Sequence, residues 1–382
     1  MTNKWLSVSL GEVVTLQRGF DLPSQKRRTG KVPIVSSSGI SDYHSEAGVK
    51  GPGVVTGRYG TIGKVFFIKE DYWPLNTTLW VKDFHGNDPK FSAYLLRTID
   101  FNSCSDKSGV PGVNRNDLHR IPVLLPPLLE QRSIAHVLGT LDDLIELNRQ
   151  TNEILEEMAR ALFKSWFVDF DPVRAKLEGR ALAGMDVTTA ALFPDHFQDS
   201  ELGQIPKGWE QKRWGDIATL EYGKSLRDYR ENGGKYRVFG TNGPIGNHSE
   251  ALCKEAGIVI GRKGAYRGIH YSPEPFFVID TAFYLKPEKL IDIRWAYYEL
   301  LCFDLNNMDS GSAIPSTSRD DFYKIPVALP PLEIQLVFGE IVGSWFAITY
   351  ANNAESRDLA TLRDTLLPKL LSGEVKAPAV DL

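Results

Sequence analysis

The chain has few of the residues that build metal centres and disulfide frameworks. Its three cysteines, Cys104, Cys253 and Cys302, form an odd set with no C-x-x-C spacing. That excludes a zinc ribbon or a disulfide scaffold and fits a reducing compartment. The seven histidines, at positions 44, 85, 119, 136, 196, 248 and 270, keep no metal-ligand spacing and have no G-x-S-x-G serine to serve. No stretch of 18 uninterrupted apolar residues occurs, and the opening Met1-Thr2-Asn3-Lys4-Trp5 carries no apolar leader. Neither a membrane span nor export is expected, and the expected location is cytoplasmic. A surplus of positive charge is also missing: 44 Lys+Arg stand against 48 Asp+Glu, a net charge of -4.

The average hides a partition. Residues 1–127 hold 16 Lys+Arg against 11 Asp+Glu (+5), whereas residues 128–171 hold 4 against 9 (-5). Residues 209–331 balance at 16 against 16. A nucleic-acid partner is therefore permitted by the N-terminal region, although composition alone does not demand one. Catalytic motifs are decoys. Gly57-Arg58-Tyr59-Gly60-Thr61-Ile62-Gly63 lacks the G-K-[ST] ending of a phosphate loop. Asp195 and Glu201 have no lysine two residues after the glutamate, and the chain has no Asn-Pro-Pro or Asp-Pro-Pro aromatic tetrapeptide.

What the chain does have is a copy of itself. Residues 108–131 (SGVPGVNRNDLHRIPVLLPPLLEQ) and 312–335 (SAIPSTSRDDFYKIPVALPPLEIQ) align without a gap at a shift of 204, with 12 identities in 24 positions. The same shift pairs Gly11 with Gly215, Gly19 with Gly223, Gly39 with Gly243, Arg58 with Arg262, Gly60 with Gly264 and Thr77 with Thr281. Between those anchors the residues diverge, so two similar frames carry two different faces.

Each copy reads as a globular part followed by a long helix. Short apolar runs at 31–35, 53–56, 64–68, 78–81, 236–239, 258–260 and 276–279, set between Gly, Pro, Asn and Ser, predict strands. Small helices are expected near 92–99 and 293–303. After Pro126-Pro127 the period lengthens to about 3.5 residues, with Ile134, Leu138, Leu141, Ile145, Leu155, Leu162 and Trp166 on one seam and Asn148 and Asn152 completing it. Phe338, Val342, Trp345, Leu359, Leu366 and Leu370 make the matching seam in the second copy. A helix of about 40 residues is about 60 Å long, long enough to act as a spacer. The fold class expected is α+β: two mainly β modules with small helices, separated by two long antiparallel coiled-coil helices in a pseudo-twofold tandem repeat. The expected divisions are 1–127, a helix 128–171, a connector 172–208, 209–331, a helix 332–373 and a tail 374–382.

These residues resemble a known family. The segments 121–131 and 325–335, both I-P-V-x-L-P-P-L-x-x-Q, are accompanied by LFKSWFVDFD at 162–171, LGQIPKGW at 202–209 and LLPKLLSG at 366–373. Together they are similar to the specificity subunits of type I restriction-modification systems, over nearly the whole chain. Trp5 lacks the Ile-Pro-x-Gly lead that precedes Trp209, so the two copies differ at their start. The resemblance implies two target recognition domains, each reading half of a split, asymmetric double-stranded DNA site. It implies two modification subunits that methylate adenine with S-adenosylmethionine and a restriction subunit that uses ATP and Mg. This chain is then reader and scaffold, with no cofactor and no catalytic residue of its own. A protein-only adaptor that grips two copies of a partner is the alternative.

Base reading needs side chains that present hydrogen-bond groups to a base edge, and phosphate contacts need cations and backbone donors. In the first module the DNA-binding candidates are Arg18, Lys26, Arg27, Arg28, Arg58, Tyr59, Lys64, Ser108 and Arg115. In the second they are Lys224, Arg227, Thr241, Asn242, Arg262, Lys263, Tyr266, Arg267, Ser312 and Arg319. For each of them ordinary solvated surface is the competing reading. Arg58 with Arg262 and Arg115 with Arg319 recur, so each pair has a shared role, as a phosphate contact or a structural ion pair, while base choice belongs to positions that differ. Phe163, Phe167 and Phe170, beside the seam of an acidic helix, are expected to dock the modification subunits.

Overall fold

The computed structural model describes residues 5–104, 112–227, 229, 233–264, 266–308 and 315–378. By packing, the chain forms two compact units: residues 1–148 with 353–382, and residues 149–352. Both cuts fall inside the long helices, Leu128–Phe163 and Leu332–Ser372, so each unit owns a globular module and part of each helix.

In the first unit Leu6–Ser9 pairs antiparallel with Pro122–Leu125, bringing the two ends of the module together. Between them lies a four-stranded sheet in the order Thr15–Arg18, Thr78–Asp83, Gly53–Gly57, Val65–Ile68. A three-stranded sheet holds the hairpin Val32–Ser36 and Gly39–His44 with Trp73–Pro74 parallel to its inner strand. Gly53–Gly57 is buried at every position, which explains its unbroken apolar run: a strand covered on both faces loses the polar alternation of an exposed one. The second unit repeats this scheme. Glu210–Arg213 pairs with Pro326–Leu329, and the four-stranded order is Ala218–Tyr222, Ala282–Pro287, Gly257–Gly261, Ile269–Ser272. The expected small helices are Pro89–Arg97 and Ile293–Leu301, capped by Asp88 and Asp292.

The shared Pro-Pro-Leu-x-x-Gln segment has a physical basis. Gln131 is buried; its amide donates to the Pro126 carbonyl (2.9 Å) and its oxygen accepts from the Asp88 amide (3.0 Å). Gln335 repeats this with Pro330 (2.7 Å) and Asp292 (3.0 Å). One side chain thus locks the start of a long helix to the cap of a small one. Two turns further on, Gly139 and Gly343 recur, facing the tips of the Lys90 and Arg294 side chains.

Within each unit the long helices run antiparallel. In the first, Ile134 and Leu138 share a core with Leu366, Leu370 and Leu371, and Asp142 accepts from Tyr94 (2.6 Å), Arg97 (3.0 Å) and Arg363 (2.7 Å). Asn148 donates to Glu355 (2.8 Å). In the second, Asn352 donates to Asn152 (2.9 Å), so both seam asparagines bind across the helix pair. The second long helix is apolar enough over one 18-residue window, mean hydropathy 1.3, to cross a membrane by length and composition. Its Ile334, Phe338 and Val342 enter the second unit's core.

Two expectations change. The helix expected over 128–171 ends at Phe163 and continues as a π-helical turn, Lys164–Val168. The expected connector is built: helices Asp171–Leu177 and Val187–Leu192 precede a hairpin, Phe197–Ser200 with Gly203–Pro206, and Val173, Phe193 and Ile205 enter the second core. Isolated apolar residues, rather than a periodic stripe, anchor this segment.

Candidate nucleic-acid interface

Four chain segments converge at one edge of each module. They are the end of the first sheet strand, the turn of the hairpin, the glycine loop after the buried strand, and the start of a short helix. In the first module the Arg58 and Tyr59 amides both donate to the Thr77 carbonyl (2.9 and 3.2 Å), and the Arg58 carbonyl accepts from Val113 (3.0 Å). In the second, the Arg262 and Lys263 amides donate to Thr281 (3.0 and 3.2 Å), and the Arg262 carbonyl accepts from Thr317 (2.9 Å). Tyr59 bridges Gly112, as Lys263 bridges Ser316. The shift of 204 is therefore reproduced bond for bond, and the recurring arginines leave equivalent points of the backbone.

Their side chains meet different surroundings. Arg58 lies over the Tyr59 ring at 4.6 Å. Arg262 lies over Tyr222 at 4.7 Å and near Phe283 at 5.7 Å, and donates to the Asp280 carbonyl at 3.0 Å. Arg319 opens the helix Arg319–Lys324, sits over the same Tyr222 ring at 5.1 Å, and donates from Nε and an Nη to the Tyr323 hydroxyl (3.1 and 2.8 Å). Hydrogen bonding to Tyr323 raises the already high Arg319 pKa against the opposing effect of burial. Arg115, the first residue of Arg115–His119, is exposed. Among the described residues Arg58, Arg262 and Arg319 meet rings, a hydroxyl and a carbonyl rather than carboxylates. Among the described residues no ion pair offsets their charge, which suits an anion-binding edge.

The short helix carries a difference as well. His119 Nε2 accepts from the Leu16 amide (2.9 Å), and at the matching place the Tyr323 hydroxyl accepts from the Leu220 amide (3.0 Å). Burial, then the charges of Arg115 and His85, lower the His119 pKa, so the neutral ring that can accept this bond is the favoured form.

The remaining expected residues divide. Lys26, Lys64, Lys224, Arg227, Asn242, Lys263 and Tyr266 are exposed. Arg18, Arg27 and Arg28 face Asp21 (3.7 Å), Asp42 (2.9 Å) and Glu46 (3.2 Å). These are surface pairs, and such pairs are worth only about 0–1 kcal/mol. The Thr241 hydroxyl donates within the fold, toward the Lys263 (2.7 Å) and Thr281 (2.6 Å) carbonyls, and ties the hairpin turn to the glycine loop. Ser108 and Ser312 lie outside the described residues.

Arg267 is corrected. It is 4% exposed, and its guanidinium donates to the carbonyls of Gly264 (2.9 Å), Leu305 (3.0 Å) and Asn306 (3.1 Å). It staples the glycine loop from inside and presents no charge to a ligand. The proposed docking phenylalanines are corrected too. Phe163 and Phe167 are 3% and 6% exposed and pack on Phe338 at 5.7 and 5.2 Å between ring centroids. Phe170, at φ 55°, turns its ring onto Trp209 (5.5 Å) and Phe197 (6.0 Å). Phe163 and Phe167 are core because the helix and its π-helical continuation bury a face wider than the narrow seam, facing both the second long helix and the module, and Phe170 is partly buried against that core. Sequence reasoning missed Tyr222, which is 47% exposed between two arginines. Applying the shift of 204 to Arg18 would have found it.

A family model described as "Type I restriction modification DNA specificity domain" matches the chain twice, over residues 2–157 and 206–357. The chain is 28% identical over 359 residues to the type I restriction enzyme MjaIX specificity subunit of Methanocaldococcus jannaschii, covering 86% of this chain and 78% of that one. It is 26% identical over 332 residues to the HindI specificity subunit of Haemophilus influenzae, covering 69% and 71%. The fold is similar to the crystal structure of a type I restriction-modification S subunit from M. genitalium, with a TM-score of 0.67 at 18% identity over 97% of both chains.

Proposed function

The chain belongs to the type I restriction-modification specificity family, with two DNA specificity domains in tandem, and from that premise we propose that it reads a split, asymmetric site on double-stranded DNA, one half per module. In this reading it is a non-catalytic cytoplasmic subunit. Two modification subunits dock on it and supply S-adenosylmethionine-dependent methylation, and a restriction subunit joins with ATP and Mg. The observation that carries the reading is the pairing of like with unlike. Arg58 and Arg262 leave equivalent backbone positions, while other equivalent positions at the same edge differ, Tyr59 against Lys263 and Arg18 against Tyr222. Contacts that recur suit phosphates, which are the same in every sequence, and contacts that differ suit bases.

In the assembled methyltransferase, Arg58→Ala and Arg262→Ala should each weaken binding to specific and unrelated duplexes alike. Each should also flatten the plot of log affinity against log salt by about 0.9 for every phosphate left without its cation. Footprinting of the wild-type complex should protect two short blocks with a fixed gap. Protection without sequence preference would sink the reading and leave a protein adaptor in its place.

A further inference from the structure

Residue 222 stands where residue 18 stands one module earlier, at the end of the first strand of the four-stranded sheet, paired with Phe283 as Arg18 is paired with Leu79. In the second module the Tyr222 ring carries two guanidinium groups, Arg262 and Arg319, at 4.7 and 5.1 Å, and its edge meets Phe283 at 5.0 Å. Like charges brought onto one ring repel each other, and the ring's negative face only partly offsets this. The cluster is therefore set to receive an anion, with Tyr222 between the two groups that would hold it. In the first module the same strand end offers Arg18, 54% exposed and paired with Asp21 at 3.7 Å, while Arg58 turns to its own neighbour Tyr59. The arginines at 58/262 and 115/319 are constant, and the residue at 18/222 is not.

We propose that position 18 in the first module and position 222 in the second is a specificity-determining position: from one shared strand end, it offers a donor-only guanidinium to one half-site and a phenol to the other. A guanidinium fork matches the two acceptors on the major-groove edge of guanine. A phenol gives one donor, an acceptor and a flat face, which suit a different base. The inference rests on the proposed split-site reading and deepens it.

The test is the genome-wide methylated motif in a host expressing the complete methyltransferase with wild-type chain, Tyr222→Arg or Arg18→Tyr. A wild-type chain that gives no split motif defeats the functional reading itself. Given a split wild-type motif, Tyr222→Arg should alter base preference by about tenfold or more, the scale of discrimination that one well-made base pairing supplies, in one half only. Arg18→Tyr should do so in the other half, with the gap unchanged in both. An unaltered motif at any methylation level, or a change in both halves, overturns the proposal. If either variant methylates nothing, Tyr222→Phe and Arg18→Lys decide. They keep the ring and the charge, and each must relax one base position in its own half; an intact motif overturns the proposal.

Discussion

His119 and Tyr323 do the same task with different chemistry, and pH separates them. His119 accepts the Leu16 amide only while its ring is neutral, and its pKa is lowered by burial and by Arg115 and His85. A histidine whose folded pKa is depressed contributes stability above its ordinary value of 6.5, and that contribution is lost as pH falls through the folded value. Hydrogen exchange should show Leu16 losing protection as pH falls below about that value, while Leu220, held by a phenol, stays protected. His119→Tyr should make Leu16 equally insensitive. Protection of Leu16 that survives acidification would show that the imidazole is not its anchor. Arg267 carries another lesson at this scale. A cation in a glycine loop reads as surface because sequence does not reveal the four carbonyls that surround it.

Among elements, those with a strong period or a buried run were legible. The strands around Gly53–Gly57 and Gly257–Gly261, the small helices and the starts of both long helices fall within a few residues of their expected places. The segment after the first long helix was not legible, because its short helices and hairpin are fixed by single residues such as Phe193 and Ile205 rather than by a repeating face. The expected motif ending in Gln131 and Gln335 was found by repetition, but its reason is tertiary. Gln335→Leu should destabilise the second unit by about 2–4 kcal/mol, because it leaves the Asp292 amide and the Pro330 carbonyl buried without partners. Gln335→Glu should not restore stability, since a carboxylate cannot donate to Pro330. Urea denaturation measures both, and a loss below about 0.5 kcal/mol, the ordinary range of a surface change, would contradict the latch.

For the whole molecule, the two units have separate cores: Phe163, Phe167 and Phe338 serve only the second, and Leu138 and Leu370 only the first. Phe167→Ala should cost about 3–5 kcal/mol, the ordinary loss for a buried aromatic. Amide exchange should accelerate over residues 149–352 and change little over 5–104. Unchanged stability together with a failure to bind partner subunits would restore Phe167 to a docking role. The duplication itself was plain in the sequence. That each unit claims part of both helices was not, because a seam shows that helices pair but not which globular module shares their core.

The clasp between Leu6–Ser9 and Pro122–Leu125, repeated by Glu210–Arg213 and Pro326–Leu329, makes each module a closed excursion of the chain. Adjacent antiparallel strands lie about 5 Å apart, so the polypeptide departs and returns at nearly the same point. A change of length in an exposed turn of the excursion is absorbed before the chain enters the long helix that follows. Topologically each module is a loop closed at its base, whose exposed turns can be rewritten while the residues that share a core with the long helices cannot.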